Sequence, residues 1–257
     1  MKIPAGRRSR ILEIISKEGI ARVDELSSSL EVSVITIRRD LDLLEEQGLV
    51  ERTHGGAMAT RYFKSEQLYG EKNLENRDLK ERLGRAAADL VDEGDTLFIN
   101  SGSTMVQVLC ALQFRKNIRI ITNNIAAAHF LSHDATAEII FLGGSYRFTS
   151  NCTIGEFAKE MISSIISSKT IIGTDGLSLK NGITSPVHQE SVITRAMVDQ
   201  TQGSIIAVAD YTKIGRVANF KTLPLNRLDT LITNGLMDEE FKKDFHEAGV
   251  ELVLIES

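Results

Sequence analysis

The sequence predicts two units of different class. Residues 1–59 form a small, mostly helical unit, and residues 74–257 form a larger α/β unit built on a largely parallel sheet. Three observations predict this division. Apolar residues recur at helical spacing up to residue 44, then give way to short extended runs around glycines. Beyond residue 74, short apolar, β-branched runs alternate with amphipathic helical stretches, the pattern of strands joined by helical crossovers. Between the two, residues 60–73 hold Arg61-Tyr62-Phe63-Lys64 and Gly70 with no sustained apolar period, and they read as a linker.

In the first unit, Ile11, Leu12 and Ile15 follow Arg7, Arg8 and Arg10 in a helix that stops near Gly19. Asp24 can cap a second helix that buries Val23, Leu26 and Leu30, and Glu31-Val32 makes the turn. Ser33 caps a third helix, in which Ile37, Leu41 and Leu44 share one face at i, i+4, i+7. Ile35, Arg38, Arg39 and Asp42 then point the opposite way. Two short extended pieces follow, Leu49-Val50-Glu51-Arg52 and the stretch after Gly55-Gly56. Together these are a winged helix-turn-helix, with the helix-turn-helix at about residues 20–39. Two arginines and an exposed isoleucine on the front half of a helix suit the major groove of double-stranded DNA. Arg38 and Arg39 are expected to enter the groove, with Ser33, Ile35 and Thr36 at the same end supplying hydroxyl and apolar contacts. Arg8 and Arg52 are expected to hold phosphates, and His54 to contact the backbone or shape the wing turn.

The net charge of −5 is unevenly spread: residues 1–61 hold ten Lys/Arg and ten Asp/Glu, so the rest of the chain carries the whole excess. Attraction to phosphate is therefore local, from Arg7, Arg8, Arg10, Arg38, Arg39 and Arg52. A neutral reader needs a second one beside it, which predicts a homodimer or homotetramer. Hydrophobic residues at 42% and charged residues at 25% exclude a disordered chain. No apolar run follows the N-terminal charges, and none approaches the length of a bilayer span, so we expect a cytoplasmic protein without membrane contact. Cys110 and Cys152 lack the context of a secreted scaffold and are expected to be reduced and buried.

In the second unit, a helix is expected over residues 75–91 and strands over 96–99, 118–122, 138–142, 170–173, 204–209, 228–232 and 250–255. Helices are expected between most of them, at 105–112, 126–131, 156–166, 187–200 and 238–247. In open sheets of this kind ligands bind beyond the carboxyl ends of the strands. The first strand runs into Asn100-Ser101-Gly102-Ser103-Thr104 and a helix, where Gly102 admits a close backbone approach and the Ser103 and Thr104 amides favour an anion. No Lys follows that glycine as in a nucleotide-binding P-loop, so a nucleoside triphosphate is not expected. Other strand ends carry Asn123-Asn124, Gly143-Gly144-Ser145-Tyr146-Arg147, Thr174-Asp175-Gly176 and Asp210-Tyr211-Thr212-Lys213. Amides, an aspartate and a lysine on one sheet edge suit a phosphate with sugar hydroxyls.

The order Arg7-Arg8, Gly19, Glu25-Leu26, Val32-Ser33, Thr36-Ile37-Arg38-Arg39-Asp40-Leu41, Leu44-Glu45, Gly48 and His54-Gly55-Gly56-Ala57 resembles the DeoR family of bacterial transcriptional regulators. The likeness continues through Ser101-Gly102-Ser103-Thr104, Thr122-Asn123-Asn124, Leu142-Gly143-Gly144, Gly173-Thr174-Asp175-Gly176, Gly182-Ile183-Thr184 and Asp210 with Lys213. It implies a repressor of a sugar-related operon, released from operator DNA by a phosphorylated sugar. It also implies a sensor domain similar in fold to ribose-5-phosphate isomerase. By that likeness Ser101, Gly102, Ser103 and Thr104 hold the phosphate with Lys213, and Asn123 and Asp175 hold sugar hydroxyls, with Glu190 a further candidate.

Two other classes compete. An isomerase fused to a DNA reader needs a carboxylate base. The isomerase pattern has an acidic cluster after its Asp-Gly, whereas here Asp175-Gly176 runs into Leu177-Ser178-Leu179 with no carboxylate, although Glu190 or Glu156 could in principle serve. An architectural DNA binder with a vestigial sheet domain is disfavoured by the intact phosphate-type loops. His129 and His133 have i, i+4 spacing but no acidic or cysteine partner nearby. No catalytic set, cofactor or metal site is expected.

Overall fold

The computed structural model describes residues 4–18, 20–53, 55–59, 61–62, 66–235 and 239–256. The chain opens with α1 (Pro4–Glu18), β1 (Ile20–Arg22), α2 (Val23–Leu30), α3 (Val34–Glu46), β2 (Val50–Arg52) and β3 (Gly56–Ala59). Ile11, Ile15, Val23, Leu26, Ile37, Leu41 and Leu44 bury together with Val50 and Ala57 in one small core. Ser33 caps α3 by accepting a hydrogen bond from the Thr36 amide at 3.3 Å. Gly48, at φ 70°, ends it in the left-handed conformation that glycine adopts freely. β3 lies antiparallel between β1 and β2, which completes a winged helix-turn-helix.

β4 (Arg61–Tyr62) and a short helix, α4 (Tyr69–Leu74), fall within the stretch that the sequence presents as linker. After them come α5 (Arg77–Ala88), β5 (Thr96–Ile99), α6 (Ser103–Leu112), β6 (Arg119–Thr122), β7 (Glu138–Phe141), β8 (Ser145–Arg147), β9 (Cys152–Ile154), α7 (Glu156–Ser163) and β10 (Lys169–Gly173). The chain continues with β11 (Gly176–Ser178), β12 (Gly182–Ser185), α8 (His188–Asp199), β13 (Ile205–Val208), β14 (Arg216–Val217), β15 (Phe220–Leu223), β16 (Thr230–Asn234), α9 (Glu239–Glu247) and β17 (Glu251–Ile255).

Seven strands form one sheet in the order β17-β16-β13-β10-β5-β6-β7, and every neighbouring pair is parallel. Such strands are buried on both faces and read as near-continuous apolar runs, which is why each was legible from sequence to within two residues. One face packs on α5 and α6 through Leu83, Leu109, Ile99 and Ile171. Strand order reverses between β5 and β10, so the loops leaving these two strands diverge and open a crevice at their carboxyl ends.

The antiparallel pieces escaped the sequence reading. β11, β12 and β15 make a small sheet, and β8 pairs with β9. Each is three or four residues long with little period of its own. The stretch expected as a helix at 126–131 is a 3-10 turn, Ile125–His129, so His129 and His133 share no helix face.

The N-terminal unit rests on the α/β unit. Met58 of β3 is buried with Leu177, Ile183 and Leu223, and the Lys180 amide donates to the buried Glu51 carboxylate. β4 pairs in parallel with β14. Among the described residues no helix is long and apolar enough to cross a membrane.

Candidate functional site

The residues expected from sequence to be functional fall on two surfaces. On α3, Ile35 is 65% exposed and Arg38 and Arg39 are exposed beside it, because the opposite face is spent on Ile37, Leu41 and Leu44. Ser33 and Thr36 lie at the same end, but their hydroxyls are 2.9 Å apart and hydrogen-bonded to each other within the cap. Arg8 is half-buried. Arg52 is half-buried too, its Nε 3.6 Å from Asp42 and its amide donating to Glu45 at 3.2 Å, so it braces the wing against α3. His54 lies outside the described residues.

Arg7 departs from the expectation of a phosphate-attracting arginine. Its Nε donates to Asp40 Oδ2 at 2.5 Å with both side chains buried. An arginine in the first helix therefore neutralises an aspartate on the inner side of the reading helix, where helical spacing alone leaves that aspartate unexplained.

The second surface is the crevice between β5 and β10. β5 ends at Ile99 and the chain turns through Asn100, Ser101 and Gly102 into α6. Gly102 holds φ at 124°, a conformation that side chains disfavour, and this aims the first amides of α6 into the crevice. The leading amides of a helix have no intrahelical acceptor and attract anions. The loop is rigidly braced: the Asn100 side-chain amide donates to Gly173 O at 3.2 Å, and the Gly173 amide donates back to Asn100 Oδ1 at 2.8 Å. Asn124 Nδ2 donates to Gly102 O at 3.0 Å.

Three lysines line the crevice around this loop: Lys72 of α4, Lys80 of α5 and Lys213. Lys213 is placed by Asp210, which accepts from the Thr212 amide at 2.9 Å and so caps the short turn Tyr211–Lys213. Lys80 is 4% exposed and donates to Glu75 O at 2.7 Å and to Lys72 O. Burial pulls its pKa down, the Asp210 charge opposes that, and Lys213 adds to it. Sequence reasoning missed Lys80 because it follows Leu79 on a long amphipathic helix, where a lysine ordinarily faces solvent. Its distance of one helix from the 101–104 loop becomes visible only when α5 packs on α6.

Asp175, Glu190 and Ser185 line the same crevice. Asp175 is held by Lys72 Nζ at 2.5 Å. Glu190 is 3.2 Å from Arg147, which also makes a bidentate pair with Glu66 at 2.6 Å for each bond. Burial pushes the Glu190 carboxyl above its ordinary range and the nearby Cys152 thiol up to about 11. Asn123 is not among the lining residues. It is 1% exposed, and its amide donates to Thr153 O at 2.9 Å, tying the end of β6 to β9 behind the crevice. Ser101, Gly102, Ser103, Thr104, Asp175 and Lys213 all converge on the crevice, and Asn123 alone of the expected ligands does not.

The comparisons with known proteins match each of the two units. Residues 7–61 match the model of the DeoR-like helix-turn-helix domain, and residues 75–235 match that of the DeoR C terminal sensor domain. The HTH-type transcriptional regulator GlpR of Haloferax volcanii is 31% identical over 98% of this chain and 98% of its own length. The HTH-type transcriptional repressor GlcR of Bacillus subtilis is 32% identical over 96% of this chain and 94% of its own. The lactose phosphotransferase system repressor of Lactococcus lactis subsp. lactis is 31% identical over 94% and 95%. Among solved structures, ribose 5-phosphate isomerase A of Methanocaldococcus jannaschii aligns over 55% of each chain at 14% identity with a TM-score of 0.40. A chain that matches both domain models, and has full-length relatives at this identity, belongs to the DeoR family of DNA-binding transcriptional regulators.

Proposed function

We propose that this protein is a cytoplasmic repressor of a carbohydrate operon that leaves its operator when a phosphorylated sugar enters the crevice between β5 and β10. The observation that carries the reading is the convergence of the α6 N-terminus with the ammonium groups of Lys80 and Lys213 on one end of that crevice. A dianionic phosphate suits such a site, because oriented amides and partly desolvated cations compensate it without any other partner. Ser101, Ser103 and Thr104 add hydroxyl donors, and Asp175 and Glu190 in the same crevice suit sugar hydroxyls. Both of these carboxylates are engaged in ion pairs with Lys72 and Arg147, which supports recognition over proton abstraction. On the other surface, Arg38 and Arg39 with Ile35 read base edges while Arg8 meets phosphate. The neutral charge of residues 1–61 favours two or four readers acting together. The printed names of two relatives, the repressor GlcR and the lactose phosphotransferase system repressor, point the same way.

Thermal unfolding of the full-length protein against a panel of sugar phosphates and their unphosphorylated parents tests the effector. At 100 times its dissociation constant a ligand adds about 2.7 kcal/mol, roughly 5–10 °C for a domain of this size. We expect a shift with a phosphate, none with the parent sugar, and none in Lys80→Met or Ser103→Ala/Thr104→Ala. Equal shifts with the parent sugar would remove the phosphate from the reading.

A further inference from the structure

The short helix α4 is held in place by the same groups that are assigned above to the effector. Its Lys72 carbonyl accepts from Ser103 Oγ at 3.3 Å and from Lys80 Nζ, and the Glu75 carbonyl at its end accepts from Lys80 Nζ at 2.7 Å. Its Lys72 ammonium sits on Asp175 Oδ1 at 2.5 Å. One residue of α4 therefore meets Ser103 and Lys80 through its carbonyl and Asp175 through its ammonium. Beyond these contacts, Tyr69 packs partly buried against the sheet core. α4 has six residues, no side-chain cap hydrogen bond and no buried residue, and its Tyr69 amide donates to Thr149 O at 2.8 Å. A helix of this length is not self-sustaining in water. It lies on the chain path between the wing and the sensor sheet, directly after β4 and the residues that follow it.

We propose that α4 is an internal competitor for the effector crevice, and that a phosphate taking Ser103 and Lys80 releases it. The inference rests on the phosphate reading of residues 101–104. A phosphate draws the Ser103 hydroxyl and the Lys80 ammonium away from the Lys72 and Glu75 carbonyls, because a charged acceptor outcompetes a neutral one. The Lys72–Asp175 ion pair is then the remaining tie of α4 across the crevice. The two arrangements, α4 docked and α4 released, differ in their affinity for the effector.

Hydrogen exchange of the full-length protein with and without inorganic phosphate is the test. Slower exchange at residues 102–105 together with severalfold faster exchange at residues 69–76 is the expected result. Slower exchange at 102–105 with residues 69–76 unchanged or also slowed would overturn the competitor while leaving the phosphate site standing. No change at either segment would overturn the phosphate site and the competitor with it. Lys72→Met supplies a second reading. Losing a half-buried ion pair that opposes the ligand lowers the phosphate concentration at half-effect by about two- to fivefold. A higher or unchanged concentration makes Lys72 a ligand or a bystander and overturns the proposal.

Discussion

Asp40 and Arg38 are two positions apart on one helix and meet opposite fates. Arg38 is exposed at the front of α3, whereas Asp40 is buried against Arg7 of α1. The buried pair is costly to break singly, since the survivor is left as an uncompensated charge. Arg7→Met is expected to destabilise the reader by about 3–5 kcal/mol, and Arg7→Met with Asp40→Leu to recover most of that loss, both read by chemical denaturation of the full chain. If the double variant is no better than the single one, the pair does not account for the loss. Arg38→Ala is expected to leave stability unchanged and to weaken operator binding by about 1–3 kcal/mol if the arginine reads a guanine. Binding isotherms on operator variants check it: a loss confined to one base pair marks a base contact, and a uniform loss marks a phosphate contact.

Among the elements, α3 is defined at its start by one side chain. Ser33 takes the Thr36 amide and also bonds the Thr36 hydroxyl, so both residues proposed from sequence as DNA contacts have a structural duty first. Ser33→Ala is expected to lower stability by about 0.5–2 kcal/mol, and a thermal melt without DNA separates this from any effect on binding. The strands of the central sheet were legible because a parallel strand buried on both faces must be apolar throughout. The hairpin of β11 and β12 was not, because residues 174–185 alternate glycine, serine and apolar positions without a sustained period. Yet that hairpin joins the two functional surfaces. Thr174 and Asp175 at its base and Thr184 and Ser185 at its return line the crevice, and the Lys180 amide at its tip meets Glu51 of the wing.

At the scale of the whole molecule, the contact between wing and sensor is a titratable one. Burial holds the Glu51 carboxyl above its ordinary value of 4.5, against the lowering effect of its hydrogen bonds to the 178–180 segment. An acid whose folded pKa is raised stabilises the folded state most at low pH and loses that contribution as pH rises through the folded value. The melting temperature of Glu51→Gln relative to the parent is therefore expected to be constant below the carboxylate range and to rise as pH increases above 4.5. A difference independent of pH would place Glu51 in water, away from the sensor.

Local physics written along the chain determined much of this protein. Helical period and a serine cap specified the reader, continuous apolar runs specified the sheet, and glycine with small hydroxyl residues marked the loop at 101–104. These signals act between residues within a turn or a strand, so one sequence carries them. Tertiary structure alone decided which charges meet. It paired Arg7 with Asp40, tied Asn123 to Thr153 of β9, brought Lys80 into the crevice with the 101–104 loop and set Lys72 on Asp175. An isolated charge on a helix looks the same whether it meets solvent, a partner or a ligand. Only the packing of distant elements, and the desolvation that follows, distinguishes them.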